Sequence, residues 1–139
     1  MDILRSLHSW VRWLVVLVAL IDLVYFAIGW RHGRKYDHAP RRLMSAFSGA
    51  ISLQWLLGVI FLIALGSQTG FGIRYYGEHL TVMTLAVFAA NLPNILRRRE
   101  LTDAQRYIIN LGSIVAVIVL VFIGISLLPE AIRWRFFLP

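Results

Sequence analysis

The chain has 139 residues, a net charge of +7 and no cysteine, with a mean hydropathy of +0.72. Its hydrophobic fraction of 59% and charged fraction of 15% depart from the roughly 45–50% and 25% of soluble domains and put it in the membrane class. The lack of Cys excludes disulfides, thiolate zinc sites, iron–sulfur clusters, a Cys nucleophile and covalently attached c-type haem, and no basic face with interleaved aromatics exists to bind nucleic acid.

Crossing ~30 Å of hydrocarbon takes a helix of about 20 mostly apolar residues, and four stretches qualify. The first covers residues 8–30, "HSWVRWLVVLVALIDLVYFAIGW". Its apolar run is too long for a cleavable signal peptide, and no small-residue cleavage site follows, so it is expected to remain as a helix. The second covers residues 43–65 and the third residues 78–96. The fourth covers residues 104–128, with Thr102 or Asp103 as its N-cap and Pro129 as its stop. One domain, residues 1–139, is expected. It is an all-α, integral membrane, four-helix up-down bundle with short connections.

Lys and Arg set the orientation. Arg31, Arg34, Lys35, Arg41 and Arg42 lie between spans one and two, and Arg97, Arg98, Arg99 and Arg106 lie in "RRRELTDAQR", from the end of span three to the start of span four. Nine of the fourteen basic residues thus fall in two short loops on one side. The positive-inside rule makes that side cytoplasmic and both termini extracytoplasmic, which in a bacterium means a multi-pass protein of the cytoplasmic membrane. The basic loops are read as topogenic charge meeting anionic headgroups. Trp10, Trp13 and Trp134 mark the outer interface and Trp30 the inner one, and residues 130–139 read as a short interfacial segment.

Polar residues inside spans are costly, so each is a candidate for function or for helix contact. His8 and His79 fall at the outer ends of spans one and three, at similar depth on different helices. Two readings stand for them. They are interfacial residues, or they grip a metal centre between helices. Small residues lie below both: Val15 and Ala19 under His8, and Ala86 and Ala90 under His79, with Met83 at i+4. Such stripes leave room for a flat macrocycle in a bundle core, and haem is the macrocycle that two neutral imidazoles suit. With both axial positions filled it transfers electrons and has no open position for oxygen. Arg12, one turn from His8, and Arg74, ahead of His79, are at a suitable level for its propionates. His32 and His38 read as solvated loop residues.

Asp22 is the one acid deep in a span. Fourteen residues on from His8, it returns to within about 40° of the same helix face. It reads either as a proton-relay or quinone-site acid, or as a carboxyl bonded to a neighbouring helix through Asn110 or a serine of span two. Gln54, in the middle of span two, can donate and accept across a helix interface, with a cofactor or quinone contact as its second role. Gly49 with Ser45, Ser48 and Ser52, and Gly112 with Ala116, read as small-residue packing faces. No phosphate-binding loop, zinc-protease, nucleophile-elbow or dinucleotide motif occurs, and no catalytic residue is assigned.

Three local patterns coincide: "LHSWVRWLVV" at the first span, "LQWLLGVIF" at Leu53 to Phe61, and "GEHLTVMTLAV" at Gly77 to Val87. In these the chain resembles a group of small four-span bacterial membrane proteins labelled cytochrome b-like, whose members have an LHS-type N-terminal segment, an LQ-LLG second helix and an EH-LTM third helix. The resemblance covers nearly the whole chain by organisation and these short motifs by residue. It implies one haem b, with His8 and His79 as axial ligands and Gln54 and Glu78 as recurring neighbours. Leu80 stands where the family pattern has a Pro, which leaves the start of the third helix open.

The expected function is therefore a membrane-embedded b-type haem protein or subunit for electron transfer, rather than a stand-alone enzyme. It would exchange electrons with a quinol or an extracytoplasmic carrier, with other membrane subunits as partners. The alternative is a non-redox accessory subunit of a larger respiratory or photosynthetic membrane complex, in which the His pair is incidental. A metal-ion permease fits poorly, because the middle of span four is uniformly apolar.

Overall fold

The computed structural model describes residues 2–133. Four helices account for most of them: α1 (Asp2–Arg31), α2 (His38–Thr69), α3 (Arg74–Ile95), which runs into a 3₁₀ turn at Leu96–Arg98, and α4 (Asp103–Ser126). All four are long and apolar enough to cross a membrane. The helices outrun the apolar stretches at several ends because hydropathy marks the hydrocarbon layer, whereas the backbone keeps its hydrogen bonds into the polar flanks. His8 is thus in the second turn of α1 and His79 in the second turn of α3. With Leu80 in place of a Pro, α3 starts at Arg74, ahead of the EH pair.

Local chemistry sets the ends. The Asp37 carboxylate accepts the Ala39 N–H at 3.0 Å and opens α2. Thr102 opens α4 with a reciprocal capping box: its hydroxyl accepts the Gln105 N–H at 3.2 Å, and the Gln105 carbonyl oxygen accepts the Thr102 N–H at 2.9 Å. Thr102, not Asp103, is therefore the cap. Gly70 closes α2 at φ 85°, in the left-handed region that favours glycine.

The helices form a ring in which α1 packs on α2 and α4, and α3 packs on α2 and α4. This leaves α1 and α3 on one diagonal, running the same way, with His8 and His79 toward one end. That end, where α1 begins and residues 70–73 link α2 to α3, is called here the histidine end. The other end carries the basic links at residues 32–37 and 99–102.

The core is apolar and runs through the middle and the basic end, with Val15, Ala19 and Phe26 of α1, Met44, Phe47 and Ile51 of α2, Ala90 of α3, and Tyr107, Ile114 and Val117 of α4. Leu14, Leu17, Ile21 and Val24 point outward, as they do on a helix whose outer face meets lipid. Polar side chains bridge the helices. Between α2 and α3, the Trp55 indole donates to Thr84 at 2.9 Å, and Asn94 donates to Ser48 at 2.9 Å, with Asn91 and Ser52 at 3.5 Å between them. Between α3 and α4, Ser113 donates to the Ala89 carbonyl.

At the basic end the Tyr107 ring is clamped between Phe26, at 5.8 Å between centroids, and Tyr36, at 5.4 Å. Its hydroxyl donates to the Lys35 carbonyl at 3.4 Å. Gly29 lies directly against this ring, so that any Cβ there would meet it. Gly49 and Gly112 instead face open space, which corrects their reading as packing faces. A glycine packs closely only where its bare side meets another helix, and spacing along one helix does not tell which side that is.

Candidate functional site

One cavity of about 160 Å³ lies inside the histidine end, and all four helices contribute to its wall. From α1 come Arg5, His8, Arg12 and Val15. They follow one another at helical spacing and so share one stripe. From α2 come Ile51, Gln54, Trp55, Gly58 and Phe61; from α3, Tyr76, His79, Met83 and Ala86; from α4, Val121 and Ile125. Leu128 and Ile132, in the turn after α4, close the mouth. The lining is mostly apolar, with its charge confined to the two arginines.

The imidazoles face one cavity from diagonal helices, and each is set by a different device. His79 lies with Nδ1 2.7 Å from the Gly124 carbonyl oxygen. A carbonyl only accepts, so Nδ1 carries the proton and Nε2 keeps its lone pair. This is the arrangement in which a second partner orients a ligating imidazole. The ring reaches the α4 backbone because residue 124 has no side chain: a Cβ there would press on the Met83 methyl and come within 3.5 Å of His79 Nδ1.

His8 has the matching support on α2. A Cβ at Gly58 would lie 3.0 Å from its Cε1, so the ring rests on bare backbone. It stacks on Phe61 at 6.4 Å between centroids. The Gln54 amide nitrogen donates to the His8 backbone carbonyl at 2.9 Å and sits 3.4 Å from its Nε2. His8 Nδ1 and the Gln54 carbonyl oxygen are buried without a hydrogen-bond partner. Each such atom costs about 1–3 kcal/mol unless something in the cavity satisfies it.

Arg12 bridges the mouth. It donates to the Ser9 hydroxyl at 3.2 Å and to the Arg133 carbonyl at 3.2 Å, tying the turn after α4 to α1. Arg5 lines the same mouth. Arg74 does not. It is 90% exposed and pairs with Glu78 at i,i+4, and this is the one ion pair among the described residues. It precedes His79 by five residues, and five residues turn a helix by about 140° from the starting face. Glu78, the other neighbour that the resemblance implied, lies a turn inside α3, which begins at Arg74.

His8, His79, Arg12, Gln54 and Met83 are thus brought together, and Arg74 is not. Asp22 is buried but does not line the cavity. Its expected partner Asn110 donates instead to the Tyr36 hydroxyl at 2.8 Å. His32 and His38 are exposed, as expected, but His38 is the first residue of α2 and not a loop residue. Trp134 and most of the expected interfacial segment, residues 134–139, lie outside the described residues. Sequence reasoning missed Gly58 and Gly124 as the seats of the two rings. Gly58 sits one turn after Gln54, on the same face, and was legible in that spacing; nothing marked Gly124. It also passed over Arg5, which lies three residues before His8 on the same face.

No protein-family model, curated protein or solved structure matches the chain. Among the described residues, no group of three or more His, Cys, Asp or Glu side chains could hold a metal ion.

Proposed function

We propose that this is a b-type haem protein or subunit for electron transfer, with one haem b held between α1 and α3 by His8 and His79. The observation that carries the reading is the pair of imidazoles on diagonal helices, lining one apolar cavity, each seated on a glycine and each with a ring nitrogen to spare. Axial ligation needs two side chains, so the lack of a three-residue metal cluster does not count against it. The unpartnered His8 Nδ1 and Gln54 oxygen are the orphaned buried atoms expected of a site built for a guest. A haem held by the two imidazoles would supply one-electron chemistry.

The chain's own residues do the rest. The Gly124 carbonyl holds His79 in the tautomer that offers Nε2. Phe61 and Gly58 fix the plane of His8, and Gln54 ties the His8 backbone to α2. Arg5 and Arg12 offer cations to the anionic edge of the macrocycle, which replaces the Arg12–Arg74 pair with two residues of one helix. The apolar wall excludes water.

In this reading the basic end is cytoplasmic and the histidine end extracytoplasmic, in a bacterial cytoplasmic membrane. The partners are other membrane subunits or an extracytoplasmic electron carrier, and a quinol is the candidate small-molecule donor. The likeness to the cytochrome b-like group points the same way.

The test is optical. Protein purified from haem-replete cells should show reduced-minus-oxidised bands of a low-spin b-type haem, and His8→Ala and His79→Ala should each abolish or broaden them. Colourless wild-type protein would refute haem binding and leave the non-redox accessory subunit. Unchanged bands in both variants would refute the ligand assignment alone.

A further inference from the structure

A second polar site lies at the basic end, apart from the cavity. The contact between the Phe26 and Tyr107 rings fixes the register of antiparallel α1 and α4. One turn from Phe26 toward the middle of α1 is Asp22, and one turn from Tyr107 in the same direction along α4 is Asn110. The two residues therefore share a layer, and both are 1% exposed. Asp22 Oδ2 and Asn110 Oδ1 are each buried without a hydrogen-bond partner. The Asn110 amide nitrogen is already committed to the Tyr36 hydroxyl at 2.8 Å, which fixes its oxygen as the free end.

Two unpartnered acceptors in one buried layer lack one thing, a hydrogen to share. A carboxylate left charged and unpaired in such surroundings costs several kcal/mol. No cation is placed to pay that. The charged or titratable groups that face Tyr36 and Tyr107 here are Tyr25 on α1, Arg34 and Asp37 in the link, Arg41 on α2 and Arg106 on α4. α3 contributes none at this level. None of them forms an ion pair with Asp22.

We propose that Asp22 and Asn110 form a proton-binding site inside the bundle, filled from the basic end past Tyr36. A proton from the aqueous phase adds to Asp22 Oδ2, and the new O–H points to Asn110 Oδ1. The charge of the site goes from −1 to 0, and no electron moves. Tyr36 is the doorway. Its hydroxyl touches Asn110 on the buried side, and the Arg106 guanidinium lies 5.9 Å from its ring centroid on the side of the basic links. Burial pushes the Tyr36 phenol above its ordinary 10.0, so it stays uncharged at neutral pH and forms the polar edge past which a proton reaches the pair. The site stands whether or not a haem binds.

The test is infrared spectroscopy of the full chain in lipid vesicles moved from H₂O to D₂O. Wild type minus Asp22→Asn should show a protonated-carboxyl band that shifts on deuteration. Asn110→Leu should move that band, because the O–H loses its acceptor. Tyr36→Phe, read against Asn110→Leu because it also releases the Asn110 amide, should slow the exchange several-fold. No carboxyl difference between wild type and Asp22→Asn at any pH would overturn the proposal, and so would exchange through Tyr36→Phe at the wild-type rate.

Discussion

Replacing Gly29 with Ala adds a single methyl at a crowded helix contact of the bundle. Its Cβ would lie 2.8 Å from Tyr107 Cζ, 3.0 Å from the hydroxyl oxygen and nearer still to Cε1, where carbon atoms prefer about 3.5–4.0 Å. The ring has no free side to move toward. It is 1% exposed, faced by Phe26 and Tyr36, and tethered by its hydroxyl to the Lys35 carbonyl. Overpacking of this kind costs about 1–3 kcal/mol, and a walled-in ring belongs to the upper half of that range. Helix propensity returns up to about 1 kcal/mol for Gly→Ala, so the net is a loss of about 1–2 kcal/mol. Unfolding in mixed detergent micelles, followed by far-UV circular dichroism, reads the difference. In a Tyr107→Leu background the same methyl should be neutral or stabilising. Gly29→Ala equal to wild type in stability, or equally damaging in both backgrounds, would show that the Gly29–Tyr107 contact does not limit packing.

The Trp55–Thr84 bond should give a coupling of about 0.6 kcal/mol, and at most about 1.7, in a double-mutant cycle of Trp55→Phe and Thr84→Val; additive single effects would mean that it contributes nothing. Tyr36 predicts a pH effect. Its folded-state pKa lies above 10.0, chiefly through burial, which outweighs the Asn110 bond and the nearby Arg106 and Arg41 charges that pull it down. Above pH 10 the unfolded chain releases this proton while the folded chain holds it, so the stabilisation present at lower pH is lost as pH rises through the folded pKa. Tyr36→Phe should flatten that alkaline slope, and an identical slope in wild type and variant would remove Tyr36 as its source. Fusion reporters at Gly70 and at Tyr36 should report extracytoplasmic and cytoplasmic positions respectively; the reverse pattern would overturn the orientation.

The four spans were legible because burying backbone in hydrocarbon demands long apolar helices, and no other element of this chain competes with them. Helix ends were not, since polar residues such as Asp2 and Thr69 extend a helix into water without a hydropathy signal. The pairing of His8 with His79 followed from counting crossings. Which arginines accompany them did not. Arg74 was chosen as a loop residue, but α3 already includes it and turns it away, whereas Arg5 shares a stripe with His8. The same one-helix reasoning correctly turned Asp22 inward and named Asn110 beside it, but could not show that the Asn110 amide is claimed by Tyr36, a residue of the link between α1 and α2. Relations across helices, such as Gly124 under His79, depend on register and rotation, which a single sequence does not write down.

The bonds between α2 and α3 bear on the histidine end of the molecule. Asn94 holds Ser48 fifteen residues beyond His79, about 22 Å along the helix axis. Trp55 holds Thr84 between them. Asn94 lies beyond Pro93, where the helix loses a backbone hydrogen bond and can bend, whereas Thr84 shares an unbroken stretch of α3 with His79. The aim of His79 is therefore set chiefly by the Trp55–Thr84 pin, and loosening that pin would swing the imidazole.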